Sequence, residues 1–312
     1  MTFTLKLGEP VAEGVRRNAS REIRKALDHL SGPDDVEAVH ETRKCFKKVR
    51  AALRLVREDL GEDAYHEENW AFRDAARPLT QVRDAQMLVE TFDKLGPATP
   101  SAAIRDMLRA NEKEVTERVL HTGQALVVVK KFAVEALARR VPSWTIDRDG
   151  WAAVASGVRR VYRTGHHALA RAIELPTVEN LHELRKQTKY VWHVLQLLEP
   201  AWSPHDEGLA ERAHDLSREL GDDHDLAVVR STLAADPRAY GGHAALKALF
   251  SLIDSHRAEL QQRAFVLAKQ IYADPPQVFA SRLEGYWRAA STSGSSGADV
   301  DRRTDRRSLK AS

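Results

Sequence analysis

Two short stretches carry the same set of chemically able side chains. In HETRKCFKKVR, from His40 to Arg50, the histidine is followed by Arg43, Lys44, Lys47 and Arg50; in HELRKQTKYV, from His182 to Val191, it is followed at the same intervals by Arg185, Lys186 and Lys189. The opening His-Glu resembles the zinc-protease helix motif H-E-x-x-H, whose two histidines hold a metal from one helix face. The second histidine of that motif would fall at positions 44 and 186, and both are lysine instead, each preceded by an arginine. A metal site decaying by drift would differ between the copies, and these agree, so no metal is expected here. Arginine offers a planar fork that grips oxyanions in pairs and lysine a mobile point charge, so the chemistry this set suits is anion binding.

A helix turns about 100° per residue, and that spacing divides the first stretch into two faces. Cys45, Phe46, Val49, Ala52, Leu53 and Val56 fall together as an apolar core face. His40, Arg43, Lys44, Lys47, Arg50 and Arg54 stand opposite, with only Ala51 among them. In the second stretch His182, Arg185, Lys186, Lys189, Trp192, His193 and Gln196 oppose Leu184, Val191, Leu195 and Leu198. Solvated helix faces usually interleave Glu with Lys, because like charges one turn apart repel. Glu41, Glu58 and Glu183 lie off the basic centre, so both stripes read as cationic surfaces awaiting an anion.

The elements around these stripes are helical throughout. Segments rich in Ala, Leu, Arg and Glu run between punctuation at SGPDD, LGPATP, VPSW, ELPT, EPAWSP, DPRAYGG and ADPPQ, and no alternating β-branched run calls for a strand. VVVKKF is placed in a helix because its surroundings are helical. The segment from about 291 to 312, polar and rich in Ser and Gly, is expected to be a disordered tail. The chain has 312 residues, 43% hydrophobic and 30% charged, enough for a large core. One cysteine, Cys45, excludes an internal disulfide and a cysteine-based zinc cage. With no signal sequence and no apolar run of membrane-spanning length, the expected location is the cytoplasm. A net charge of +3 makes the distribution of charge, not its total, decide whether a polyanion binds.

The chain also repeats beyond the two stretches. GVRR at Gly14–Arg17 returns at Gly157–Arg160, RDAARPL from Arg73 returns as HDLSREL from His214, and Arg83-Asp84 returns as His224-Asp225. Glu114 and Arg118 match Glu259 and Arg263. Ordered matches at an offset of about 142 residues describe a tandem duplication, with half one over about 11–141 and half two over about 150–290. Each half has helices enough for a bundle. Further basic residues repeat at helical spacing: Arg17, Arg21 and Arg24 in the first half, Arg160, Arg163, His167 and Arg171 in the second, and Arg73 with Arg77 against His214 with Arg218. Asp74, Asp84, Asp215 and Asp225 are placed to orient them through charge-assisted bonds.

This pattern resembles the CHAD family, the conserved-histidine α-helical domain, over about 11–288. The resemblance implies an all-α fold of two pseudo-symmetric four-helix halves with a basic channel between them, filling 1–290. It implies binding of inorganic polyphosphate without catalysis, and association with polyphosphate granules. By motif, the contacts would be His40, Arg43, Lys44, Lys47, Arg50, Arg54, His182, Arg185, Lys186 and Lys189, with Arg17, Arg24, Arg73, Arg77, Arg160, Arg163, His167, His214 and Arg218 as further candidates. Trp192 stands where the first copy has Arg50, and Gln196 where it has Arg54, so the second stripe is shorter. Family members often carry a CYTH triphosphatase domain with an E-x-E-x-K strand; no such motif is present, so a stand-alone member without cofactor is expected. Two other functions remain as alternatives. A phosphohydrolase or phosphotransferase would need carboxylates holding Mg²⁺ before the basic stripe, and none is seen. A nucleic-acid binder would need stacking aromatics, and Trp192 alone is offered.

Overall fold

The structure is a computed structural model that describes residues 3–32, 36–96, 102–202 and 208–308, with side chains as far as 292. Its helices are α1 (Val11–Ser31), α2 (Val36–Leu55), α3 (Arg57–Leu60), α4 (Glu62–Ala75), α5 (Thr80–Lys94), α6 (Ala102–Thr116), α7 (Ala125–Glu135), α8 (Val141–Ser143), α9 (Gly150–Glu174), α10 (Val178–Leu197), α11 (Leu209–Ala235), α12 (Gly242–Ile271) and α13 (Pro276–Ser308). No strand occurs among the described residues. No helix of the described residues is long and apolar enough to cross a membrane.

The punctuation read in the sequence falls between helices or at their ends, because proline removes a donor and glycine reaches backbone angles other residues avoid. ELPT separates α9 from α10, where Thr177 Oγ1 accepts from the Asn180 amide at 3.2 Å and caps the new helix. DPRAYGG separates α11 from α12, and ADPPQ separates α12 from α13. The breaks at 33–35, 97–101 and 203–207 lie outside the described residues. VVVKKF is helical, within α7. In the stretch from 291, expected as a disordered tail, the backbone of α13 runs on to Ser308. Residues 309–312 are outside the described residues.

Two apolar clusters hold the helices together, and both draw on the two halves of the chain. The larger joins Val15, Ile23, Phe46, Leu53 and Phe72 to Val158, Tyr162, Leu184 and Leu195. The smaller packs Phe92, Ile104 and Leu108 against Val229, Leu233, Leu246 and Ile253. The halves are therefore joined through shared apolar clusters. Long-range bonds reinforce this: Asp149 Oδ1 accepts from the Val11 amide at 2.7 Å, and the Leu5 amide donates to Leu197 O at 2.7 Å. The glycine of each GVRR is a point of close approach. A Cβ on Gly157 would stand 1.9 Å from Leu55 O, and one on Gly14 would stand 2.8 Å from Leu5 Cδ2. Glycine lets α9 run against the end of α2.

Candidate functional site

α2 and α10 are both 20 residues long, and His40 and His182 each occupy the fifth position. Each helix presents its apolar face as expected: Phe46, Val49, Ala52 and Leu53 of α2 and Leu184, Val191 and Leu195 of α10 are buried. Three cavities open along their basic sides. One of about 340 Å³ is bounded by His40, Lys44, Lys47 and Lys48 of α2, Arg83 and Lys94 of α5, Arg185, Lys189, Trp192 and His193 of α10, and His214, Arg218 and Asp225 of α11. A second of about 170 Å³ has Arg43, Lys47, Arg50, Arg73, Arg77 and Thr80 in its wall. The third, about 340 Å³, has Arg50, Arg54, Arg57, Tyr65, Arg160, Lys186 and Tyr190. Lys47 belongs to the first two cavities and Arg50 to the last two. Of the positions paired in the sequence repeat, Arg43, Lys47, Arg50, Arg73 and Arg77 line one cavity, and Arg185, Lys189, Trp192, His214 and Arg218 line another, which Lys47 also borders.

Neutral partners hold much of this charge in place. Arg43 Nη1 donates to Ala76 O at 2.9 Å and to Thr80 Oγ1 at 2.7 Å. Arg50 Nε donates to Asn69 Oδ1 at 3.0 Å, and Arg54 donates to Arg50 O at 2.9 Å while lying 3.8 Å from the Tyr190 ring centre. A hydrogen bond to an amide or carbonyl orients a guanidinium without cancelling its charge. Among the described residues no carboxylate pairs with Lys47, Lys189, Arg43, Arg50 or Arg54 within ion-pair distance. The stripes are nevertheless not wholly free of acid, as had been expected. Lys44 pairs with Glu41 at 2.6 Å and Lys186 pairs with Glu183, each three residues away on the same helix.

Crowding of like charge is visible in the proton affinities. Desolvation in the cavity floor, then repulsion from Lys189, Arg43, Arg185 and Arg50, pushes the Lys47 ammonium down to about 7. Desolvation and Arg185 likewise push Lys189 down to about 8, against the pull of Asp225. Lys47 keeps an open surface toward the cavity, so water screens part of this repulsion. Desolvation, followed by Arg83 and Lys44, lowers His40 to about 4, and desolvation and Arg185 lower His182. Both histidines are thus neutral at neutral pH in the free protein. Desolvation raises Asp84 and Asp225, with Arg43 and Arg185 respectively opposing it.

The expected site residues divide into three groups. His40, Arg43, Lys44, Lys47, Arg50, Arg54, Arg73, Arg77, Arg160, Arg185, Lys186, Lys189, His214 and Arg218 all line the cavities. His182 lines none of them; its ring lies 4.2 Å from that of His224 on α11. Arg17, Arg24, Arg163 and His167 also line none of them. Arg17 is turned onto Glu9, at 2.6 Å, and Thr4 O, because α1 packs its apolar face on α2 and carries its arginines away from α10. His193, read as part of the cationic face, is buried against Phe3 and Trp192. Ala51 is fully buried as well.

Other residues join the site without having been singled out. Arg83, Lys94, Lys48 and Arg57 contribute charge, and Tyr65 and Tyr190 contribute rings. Arg83 lies inside the repeated Arg-Asp pair, where only the aspartate had been given a role. Three of the four acids expected to orient these groups are paired: Asp74 holds Arg73 at 2.9 Å and Arg77 at 3.5 Å, Asp215 holds Arg218 at 3.0 Å, and Asp225 stands 3.8 Å from Arg185, whereas Asp84 makes no ion pair among the described residues. Among the described residues no three of His, Cys, Asp and Glu are grouped closely enough to hold a metal ion.

The CHAD domain model matches residues 17–234 of this all-helical chain. The chain belongs to the CHAD family. It is similar to two Mycobacterium tuberculosis proteins, Uncharacterized protein MT2285 of strain CDC 1551 and Uncharacterized protein Rv2226 of strain H37Rv, each 23% identical over 273 residues. Those alignments cover 82% of this chain and 52% of each relative, so the chain spans about half their length. The crystal structure of the CHAD domain from the plant Ricinus communis shares the fold, with a TM-score of 0.55 at 17% identity, covering 93% of this chain and 94% of that one.

Proposed function

We propose that this protein binds inorganic polyphosphate, without consuming it, in a basic channel assembled from the duplicated helices α2 and α10. The observation that carries this reading is the meeting of Lys47 and Lys189, one from each copy of the motif, in a single cavity whose aspartates, Asp222 and Asp225, form no ion pair with Lys47. Burial first, and then neighbouring positive charge, lowers the proton affinity of both ammonium groups, and an anionic ligand offsets that cost. The three cavities share Lys47 and Arg50 at their borders, which suits a long flexible chain bearing one charge per phosphate. Residues at matched positions of the two halves support an internal duplication with the channel on its pseudo-twofold axis. Cytoplasmic polyphosphate granules are where such a module would reside.

The test is a titration with polyphosphates of defined length at several salt concentrations, with DNA as comparator and free phosphate measured throughout. The reading predicts log affinity linear in log salt, a slope that grows with chain length and then levels off as the channel fills, and no phosphate release. Release of phosphate in step with protein concentration would instead establish hydrolysis. Equal affinity for DNA of matched charge would dismiss polyphosphate as the preferred ligand.

A further inference from the structure

Two cavities of the basic site differ in one respect that charge alone does not explain. Around Arg50 the wall is arginine: Arg43, Arg50, Arg73 and Arg77. At the matched positions around Trp192 it is partly aromatic. The Trp192 indole is flanked by the His193 ring, centred 4.6 Å away and inclined by 26°, and by the His214 ring, centred 4.3 Å away and inclined by 32°. His193 is buried and packs edge-on against Phe3, which fixes the inner end of this pile. His214 is exposed and is the outer end. All three rings line the same cavity as Lys47, Lys189 and Arg185. The pile therefore offers a flat π surface beside a cluster of cations, in a space of about 340 Å³, within the range of small-molecule sites.

Inorganic polyphosphate has no group that uses a π surface. A ligand with a planar base at one end and several phosphates at the other uses both parts. We propose that this cavity binds a nucleoside 5′-polyphosphate, with the base stacked on the His214 end of the Trp192 pile and the phosphates on Lys47, Lys189 and Arg185. The assignment goes beyond polyphosphate binding and does not need it: the base site lies on residues at which the second motif copy departs from the first.

The experiment compares ATP with inorganic tripolyphosphate by calorimetry, on the full chain, for the parent protein and for Trp192→Leu, Trp192→Phe and His214→Ala. Base stacking in a cationic site should make ATP bind about tenfold more tightly than tripolyphosphate. Trp192→Leu and His214→Ala should each bring the two ligands towards equal affinity, whereas Trp192→Phe keeps a ring and should retain most of the preference. His214 is exposed, so His214→Ala preserves the fold if Trp192→Leu does not. Equal affinities of ATP and tripolyphosphate in the parent, or a preference that survives both ring deletions, would overturn the proposal. So would tight binding of a single-stranded oligonucleotide with none of ATP. Binding of ATP without binding of long polyphosphate would uphold this site and defeat the polyphosphate reading instead, and the reverse pattern would do the opposite.

Discussion

Binding of a polyanion between Lys47 and Lys189 should take up protons from solution. In the free protein these ammonium groups titrate near about 7 and about 8, whereas beside a phosphate chain each should return at least to the ordinary lysine value near ~10.4. At pH 8 the free protein then carries ~0.1 proton on Lys47 and ~0.5 on Lys189, and the complex carries both, an uptake of ~1.4 protons. Affinity must fall as pH rises, by ~25-fold per unit around pH 8 and ~400-fold between pH 7 and pH 9. Water entering the cavity screens the cluster, so these figures are ceilings. The internal phosphates of a long chain stay ionised over this range and do not disturb the count. Calorimetry at pH 8 in two buffers of different ionisation enthalpy reads the proton number directly. Lys47→Met should reduce it from ~1.4 to ~0.5, the share of Lys189. Zero uptake at pH 8 together with an affinity constant from pH 7 to pH 9 would refute the claim that crowded cations form the site.

Other outcomes follow from the same geometry. Without polyanion the sign is reversed for stability: a base whose folded pKa is depressed binds its proton first in the unfolded chain, so the free protein should gain stability as pH rises from 7 towards 10. Lys47→Met should raise its melting temperature at pH 7 and flatten that rise, which thermal unfolding monitored by circular dichroism will show. Gly157→Ala should destabilise by about 1–3 kcal/mol in urea unfolding, because a Cβ would meet Leu55 O at 1.9 Å and part α9 from α2. Asp149→Ala should cost about 1 kcal/mol by removing the 2.7 Å bond to the first amide of α1. Arg24→Ala, outside all three cavities, should leave polyphosphate affinity within about twofold of the parent at moderate salt.

Much of this site was legible because helical periodicity is local. The spacing of His40, Arg43, Lys44 and Lys47 against Phe46, Val49 and Leu53 needs only about 100° per residue to divide α2 into faces, and burial follows that division. The repeat supplied the rest, since a residue kept at matched positions is kept for a reason other than accident. What periodicity does not contain is how helices turn about one another. Arg17 and Arg24 have the same spacing as the cavity arginines, yet α1 lies across the core face of α2, and Arg17 ends on Glu9. His182 and His193 sit on the predicted face of α10, but His182 turns to His224 and His193 is closed over by Phe3. Arg83, Lys94 and Tyr65 arrive from α5 and α4 through tertiary packing, which one helical wheel does not reveal. The pairing of Lys44 with Glu41 was within reach of the sequence, since three residues is a helical neighbour distance.

The most direct test of the central claim removes the charge contributed by each copy of the motif. Long-chain polyphosphate should be titrated at several salt concentrations into the parent protein and into Lys47→Gln with Lys189→Gln, both checked for unchanged helicity. The account predicts a loss of affinity of at least ~100-fold at low salt, with a salt slope shallower by ~1.4, the share of two phosphate contacts on a single flexible chain. Unchanged affinity and an unchanged slope in the folded double variant would contradict it.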